Sequence, residues 1–434
     1  MQVTVENTGT LGRRMTVAVP AKDLEQEVAQ RIKRLAQTAR LPGFRPGKAP
    51  LKMVEQQYAG KVIQEVAGDL IRTSFYEAVS ERGLRPAGGP HFEPKRLSRG
   101  KDLEYTATFE VYPELRAANI KGKNIERPVV SISDEDLAAT VETLRRQRTE
   151  WRATTRGAQN GDRLRVDFIG KIDGVAFAGG EASDFPFVLG NKVLLGGFEE
   201  GVLGAAPDDT RSVSVPFPSD YHEQSLAGKT AIFQITVRSV EEPVLPEVDA
   251  AFMVQFGVTD GSMEQFRKEV RANLEREAAE RVRGIVREQT LQAIVAANDV
   301  DVPQALVDGE VERLIQGRRQ ALAARGMAAE MPVDASAYQQ QARQRVQLAL
   351  VLAEIIRAHG IKADAARVRA RVEEMAQTYD TPQEFIDWHY AQPGRLAESE
   401  AYAVQEQVVE LLLKDAVVAD KAMSFKELMQ PKPV

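Results

Sequence analysis

No cysteine occurs in the 434 residues. That one absence removes disulfides, thiolate metal sites, cysteine nucleophiles and iron–sulfur clusters, and it fits a reducing compartment. Histidine is scarce too: His91, His222, His359 and His389 are spread over three segments, with no local pair at metal-ligand spacing, so each reads as a surface or packing residue. Apolar runs such as Leu348 to Ala353 fall far short of the roughly 18 residues that a membrane-spanning helix needs. The opening Gln2-Val3-Thr4-Val5-Glu6 alternates like a strand and has no uninterrupted secretory core, and Thr16 and Pro20 break the segment after Arg13-Arg14 that a twin-arginine leader would require. No phosphate-binding Gly-rich loop, strand-linked G-x-G-x-x-G turn or G-x-S-x-G elbow is present. The carboxylates sit among arginines on helical stretches, where solvated ion-paired faces are the ordinary explanation. Nucleotide-driven work and conventional hydrolysis therefore find no support.

What is present is the balance of a folded chain, 43% hydrophobic and 28% charged, and a length that suggests about three domains. The net charge of −6 is uneven: residues 1–112 carry 18 Lys and Arg against 13 Asp and Glu, a net of +5, which leaves −11 on the remaining 322. Arg31, Lys33, Arg34, Arg40, Arg45, Lys48 and Lys52 follow one another with no acidic residue between Val28 and Val54, a local field rather than an average.

Periodicity divides the chain further. Residues 2–20 read as two strands around Thr8 to Gly12, and Lys22 to Ala39 as a helix through Leu24, Val28, Ile32 and Leu35. Three prolines and two glycines make Leu41 to Pro50 a loop. Helices over Leu51–Tyr58 and Val62–Val79, with strands near Arg85–Lys95 and Leu103–Val111, complete a small α+β domain, 1–112. A stretch without sustained period from Pro113 to Ser133 leads to a helix capped by Ser133, giving a linker with its helix over 113–149. Short alternating strands make 150–242 a β-rich domain. The rest, 243–434, reads as all-α and elongated, with a helix of about 30 residues after Ser262 and further starts at Pro303 and Thr381.

Two features carry chemistry. The first is the tip Gly43-Phe44-Arg45-Pro46-Gly47-Lys48-Ala49-Pro50, a stiff cationic loop with one aromatic, suited to a phosphate-rich or acidic surface. A tight interhelical turn with Phe44 tucked into the core fits the same residues. The second is the concentration of Phe168, Phe177, Phe185, Phe187, Phe198, Tyr221 and Phe233 in the β-domain of a chain with only 6% aromatics. An ordinary β-core accounts for these as well.

The first motif resembles the G-F-R-x-G-K-x-P signature of bacterial trigger factors, ribosome-associated chaperones. That resemblance implies that Gly43, Phe44, Arg45, Gly47, Lys48 and Pro50 bind the large ribosomal subunit at the exit tunnel, meeting a ribosomal protein and rRNA. Pro46 stands where some members have lysine. The fragments Val166 to Gly170, Phe185 to Gly190, Leu194 to Gly201, and Tyr221 before Gly228-Lys229 resemble, in order and separation, the FKBP-type peptidyl-prolyl isomerases. By that likeness Phe168, Phe177, Phe185, Leu194, Leu195, Phe198, Tyr221 and Phe233 line the isomerase pocket, with Phe198 as floor and the Leu195 N–H and Tyr221 hydroxyl as donors to substrate carbonyls. Ala178 replaces an aspartate, and Phe198 the tryptophan, of many stand-alone relatives.

Together these imply a multidomain α+β protein: a ribosome-binding domain, an FKBP-like isomerase domain and a helical chaperone domain whose arms hold nascent and unfolded polypeptides. The implied protein is cytoplasmic, uses no cofactor, metal, nucleotide or membrane, and leaves open a homodimer off the ribosome. Two rivals stand beside it: an isomerase-chaperone that never touches ribosomes, and an RNA-binding module built on the Arg31 to Lys52 patch.

Overall fold

In a computed structural model of the chain, which describes residues 1–430 except 40, 43, 45–46, 97–99, 116–118, 192–193, 220, 222, 259–260, 325–333, 378 and 380, the N-terminal alternation becomes a sheet. Strands β1 (Gln2–Asn7) and β2 (Gly12–Val19) form a hairpin, helices α1 (Ala21–Ala36) and α2 (Leu51–Glu81) follow, and β3 (His91–Arg96) and β4 (Leu103–Glu110) close a four-stranded antiparallel sheet in the order β1-β2-β4-β3. Leu24, Val28 and Ile32 of α1 and Val62, Val66, Ile71 and Phe75 of α2 pack on Met15, Val17, Leu103 and Tyr105 of the sheet. The two helices expected over 51–79 are one. A Cβ at Gly60 would meet open space, and the glycine's cost of about 1 kcal/mol is small beside burial of Val54, Val62 and Val66 on the same helix, at about 1.5 kcal/mol or more each.

Strand β5 (Asn124–Val129) lies in the stretch that shows no period. Helix α3 (Asp134–Gln147) opens on a full capping box between Ser133 and Asp136. The β-rich region then contains β6 (Glu150–Thr154), β7 (Arg163–Ile172), β8 (Val175–Val188), α4 (Gly196–Val202), β9 (Thr210–Pro216) and β10 (Thr230–Val244). The sheet order is β6-β10-β7-β8, with β9 also on β10. Its β7–β8 hairpin turns on Asp173 and Gly174, both at positive φ (51° and 84°), the pattern of a two-residue turn whose twist matches the strands. Helices α5 (Ala250–Val254) and α6 (Met263–Ala296) follow, and Ser262 Oγ accepts from Gln265 N at 3.3 Å at the start of α6.

The remaining elements are α7 (Gln304–Ala324), α8 (Gln339–His359), α9 (Ala365–Ala376), α10 (Pro382–Tyr390), α11 (Pro393–Leu413), β11 (Val417–Ala422) and α12 (Phe425–Met429). Ile294, Val307, Val311, Val346, Val351, Ile355 and Val408 form their core. Gly360 ends α8 in the left-handed region at φ 62°. The addition to the helical reading of this region is β11, which pairs with β5. Every β11 residue is exposed and β5 buries only Ile125 and Pro128, so neither shows the alternation by which strands are recognised.

By internal packing the chain forms two units, Met1–Arg127 with Gly284–Asp420, and Pro128–Arg283 with Lys421–Val434.

Candidate functional site

The β7–β8 hairpin, β10 and α4 bring every isomerase-type residue expected from the sequence into one cluster. Phe198 and Phe233 are buried, while Phe168, Phe177, Phe185, Leu194, Leu195 and Tyr221 are half-buried against the same core. The Phe168 ring lies 5.3 Å from Phe198, 5.9 Å from Phe233 and 6.0 Å from Phe185; Phe198 and Phe233 are 5.4 Å apart, and Phe177 is 6.0 Å from Phe233. All five pairs meet edge to face, the geometry that sets the positive rim of one ring against the negative face of another. Glycines make the room. A Cβ on Gly170 would fall 2.5 Å from the Phe233 ring, and one on Gly180 2.9 Å from Phe177.

Two irregularities shape the wall. Between the pairs Ile169↔Glu181 and Lys171↔Ala176 the strand β8 carries extra residues, Phe177 to Gly180, with Gly179 at φ 81°. A second shift falls between Val166↔Phe185 and Phe168↔Ala182. At the rim, the buried Glu199 accepts from Gly190 N at 2.9 Å and Leu194 N at 3.1 Å, pinning both ends of the 190–194 segment, and Phe198 N donates to Leu195 O at 2.8 Å. Tyr221 packs on Phe217 with centroids 4.8 Å apart.

The base of the domain is locked by Asp162. Its carboxylate accepts from Arg156 Nη1 at 2.6 Å, Arg156 Nη2 at 2.8 Å and Gln159 N at 2.8 Å. Burial opposes the charge, but the guanidinium and the backbone donor outweigh it and hold this carboxyl below the ordinary aspartate value. Of the eight bowl residues only Tyr221 has a titratable side chain. The arrangement can grip an apolar ring and exclude water.

In the N-terminal loop, Phe44 is 40% exposed rather than tucked into the core, and Lys48 and Pro50 are exposed beside Leu51 and Met53. Gly47 stands at φ 76°, where a Cβ would meet Gln37 O at 2.6 Å, so the loop closes on α1 only with glycine there. Lys33, Arg34 and Lys52 are exposed nearby in sequence, and Arg31 lies 3.8 Å from Asp69. Gly43, Arg45, Pro46 and Arg40 lie outside the described residues, as does the side chain of Ala178.

The sequence reading passed over one group. Tyr379, Trp388 and Tyr390 are 53%, 54% and 44% exposed. Tyr379 stacks on Phe385 at 4.2 Å, and the Arg395 guanidinium lies 3.9 Å from the Trp388 ring. Four aromatics within Tyr379 to Tyr390, in a chain poor in them, were the available signal.

The family model described as bacterial trigger factor protein matches residues 1–144, its C-terminal counterpart 262–414, and that of FKBP-type peptidyl-prolyl cis-trans isomerases 154–238. The trigger factor of Nitrosospira multiformis is 46% identical over 434 residues, covering 99% of both chains, and that of Thioalkalivibrio sulfidiphilus 45% over 435 residues, covering 100% of this chain and 99% of its own. A solved structure from work on promiscuous substrate recognition by the trigger factor chaperone aligns with 95% of this chain and 99% of its own, at 16% identity and a TM-score of 0.48.

Proposed function

The chain belongs to the bacterial trigger factor family, and from that premise of a ribosome-associated, nascent-chain-binding chaperone with a peptidyl-prolyl isomerase domain we propose how its residues divide the work. Phe168, Phe177, Phe185, Leu194, Leu195, Phe198, Tyr221 and Phe233 form the isomerase site. The observation that carries this reading is the bowl itself, with Phe198 and Phe233 buried as its floor and the other six half-buried around it.

Rotation about an Xaa-Pro bond is opposed by amide resonance worth about 18–20 kcal/mol. In water the planar amide is held by hydrogen bonds to both its carbonyl and its neighbours. A dry aromatic enclosure removes that solvation, seats the proline ring against Phe198, and binds the twisted amide better than either planar form. The Leu195 N–H and the Tyr221 hydroxyl donate to substrate carbonyls and hold the chain while the bond turns.

The N-terminal loop docks. Phe44 and Lys48, with Gly43, Arg45, Gly47 and Pro50, contact ribosomal protein and rRNA at the exit tunnel of the large subunit, and the basic run around them supplies attraction to phosphate. The protein works in the cytoplasm, and the exposed Tyr379, Trp388 and Tyr390, with the half-buried Phe385 stacked under Tyr379, are assigned to client contact. Co-sedimentation with large ribosomal subunits across a salt series tests the docking. The intact chain is expected to pellet and a Phe44→Ala, Arg45→Ala, Lys48→Ala variant to stay in solution. If both stay in solution, this is a free isomerase-chaperone; if both pellet, the ribosome is bound through a surface other than this loop; and equal binding to naked RNA would favour the nucleic-acid reading.

A further inference from the structure

The wall residue Phe185 faces the bowl only because β8 carries one residue too many. Phe168 opposes Ala182 and Val166 opposes Phe185, so two steps on β7 are matched by three on β8. Continued in register from Phe168↔Ala182, the ladder would set Asp184 opposite the buried Val166 and Phe185 opposite Arg165 on the solvent face. A one-residue slip reverses every side chain beyond it. The extra residue therefore turns both Phe185 and Phe187 inward, Phe187 opposite the buried Leu164.

The residue that absorbs the slip is Asp184, at φ 53°. Few residues other than glycine enter this region, and aspartate and asparagine do so most readily. Its surroundings fasten it there. Asp184 N donates to Asp167 Oδ1 at 2.8 Å, and Arg165 Nε donates to Asp184 Oδ1 at 2.7 Å with a second Arg165 donor on Oδ2. Asp167 in turn accepts from Arg238 Nε at 2.7 Å. The chain Arg165–Asp184–Asp167–Arg238 thus links β7, β8 and β10 on the solvent side of the sheet. The arginine donors hold both carboxyls below the ordinary aspartate value, so the network stays charged at neutral pH.

We propose that Asp184 is a positioning residue of the isomerase site: a left-handed bulge, fastened by Arg165, Asp167 and Arg238, that places Phe185 in the wall of the bowl. The inference rests on the bowl being the isomerase site. Asparagine keeps the left-handed conformation and the backbone donor, whereas valine, branched at Cβ, is a poor occupant of it.

The test measures isomerisation of an Xaa-Pro peptide by the full chain and by its Asp184→Asn and Asp184→Val variants, with ring-to-ring nuclear Overhauser contacts between Phe185 and Phe168 as the second readout. Asp184→Asn is expected to keep kcat/KM within about threefold, and Asp184→Val to lower it about tenfold to a hundredfold, mainly through kcat, with loss of the Phe185–Phe168 contact. A folded Asp184→Val protein with native kcat/KM overturns the proposal, as does an equal loss in both variants. Should the valine variant not fold, Arg165→Gln with Asp184→Asn takes its place: a weakened Phe185–Phe168 contact supports the proposal and an unchanged one overturns it. An inactive wild-type chain removes the premise and the proposal together, whereas an active wild type with unaffected variants removes the proposal alone.

Discussion

The bowl of β7, β8, β10 and α4 and the exposed face of α10 are both built from aromatic rings, yet they offer a polypeptide opposite things. In the bowl each ring is gripped by others, and its floor is closed to water. On α10 a nine-residue helix presents Trp388 and Tyr390 more than 40% exposed, with the Arg395 guanidinium rather than an opposing sheet against the indole. A preorganised cavity selects one bond geometry. Exposed rings on a short helix supply apolar contact without fixing what lies on them, which suits weak binding of many sequences. Shape, more than residue type, separates the bowl from the face of α10.

The deepest cut into that comparison is Phe198→Ala. Removing a buried ring from the floor should cost about 3–5 kcal/mol of stability. Where the domain remains folded, kcat/KM for an Xaa-Pro peptide should fall about a hundredfold, since the enclosure and seat of the proline ring go together. Stopped-flow isomerisation assays check the rate. Native turnover in a folded Phe198→Ala protein would show that the bowl is not where isomerisation occurs.

A smaller effect is expected at the base of the same domain. Asp162→Ala removes the carboxylate that Arg156 and Gln159 N donate to, leaving Arg156 with Gly157 O at 3.1 Å and Glu242 at 3.6 Å, and should lower stability by about 2–3 kcal/mol, read by urea unfolding of the domain's fluorescence. Because the folded carboxyl titrates below its unfolded value of about 3.9, the contribution is complete above about pH 4 and is lost as pH falls through the folded value. The variant should therefore show a flatter acid limb than the wild type. An unchanged acid profile would mean that Asp162 is not the group responsible.

The opposite region is sharpened by Trp388→Ala, with Tyr379→Ala beside it. Each truncation should weaken binding of an unfolded client by about 1 kcal/mol, roughly fivefold, and leave peptide isomerisation unchanged. Fluorescence anisotropy with a labelled, permanently unfolded protein measures the first quantity. A parallel fall in isomerisation would mean that the two aromatic groups do not work separately.

How far the sequence reached follows from the same contrast. The bowl was legible because its residues fall in motifs of fixed spacing, Leu194 to Gly201 above all, and because aromatics are otherwise rare. The exposed set is hard to read because Trp388 stands three after the half-buried Phe385 on a helix, the spacing of residues that usually face a core. Strands β5 and β11 are hidden by the lack of an apolar alternation, and the two helices read over Leu51–Tyr58 and Val62–Val79 are one because burial of Val54, Val62 and Val66 outweighs the break at Gly60 between them. Least legible was the bulge at Asp184. In Glu181-Ala182-Ser183-Asp184-Phe185-Pro186-Phe187 nothing states which of two registers holds, because that depends on Arg165, Asp167 and Arg238, whose partners are set only when three strands assemble.

The finest test asks whether the bowl acts by enclosure alone. Tyr221→Phe removes one hydroxyl and keeps the ring against Phe217, 4.8 Å away. If that hydroxyl donates to a substrate carbonyl, its loss should lower kcat/KM about threefold to tenfold, the worth of one hydrogen bond exchanged with water. The effect should be larger for a peptide than for a fragment carrying only the proline ring, because the fragment lacks the carbonyl to be held. Equal rates for Tyr221→Phe and wild type on both substrates would leave shape and desolvation as the whole of the site's chemistry, and would place the isomerase at the far end of the contrast with α10.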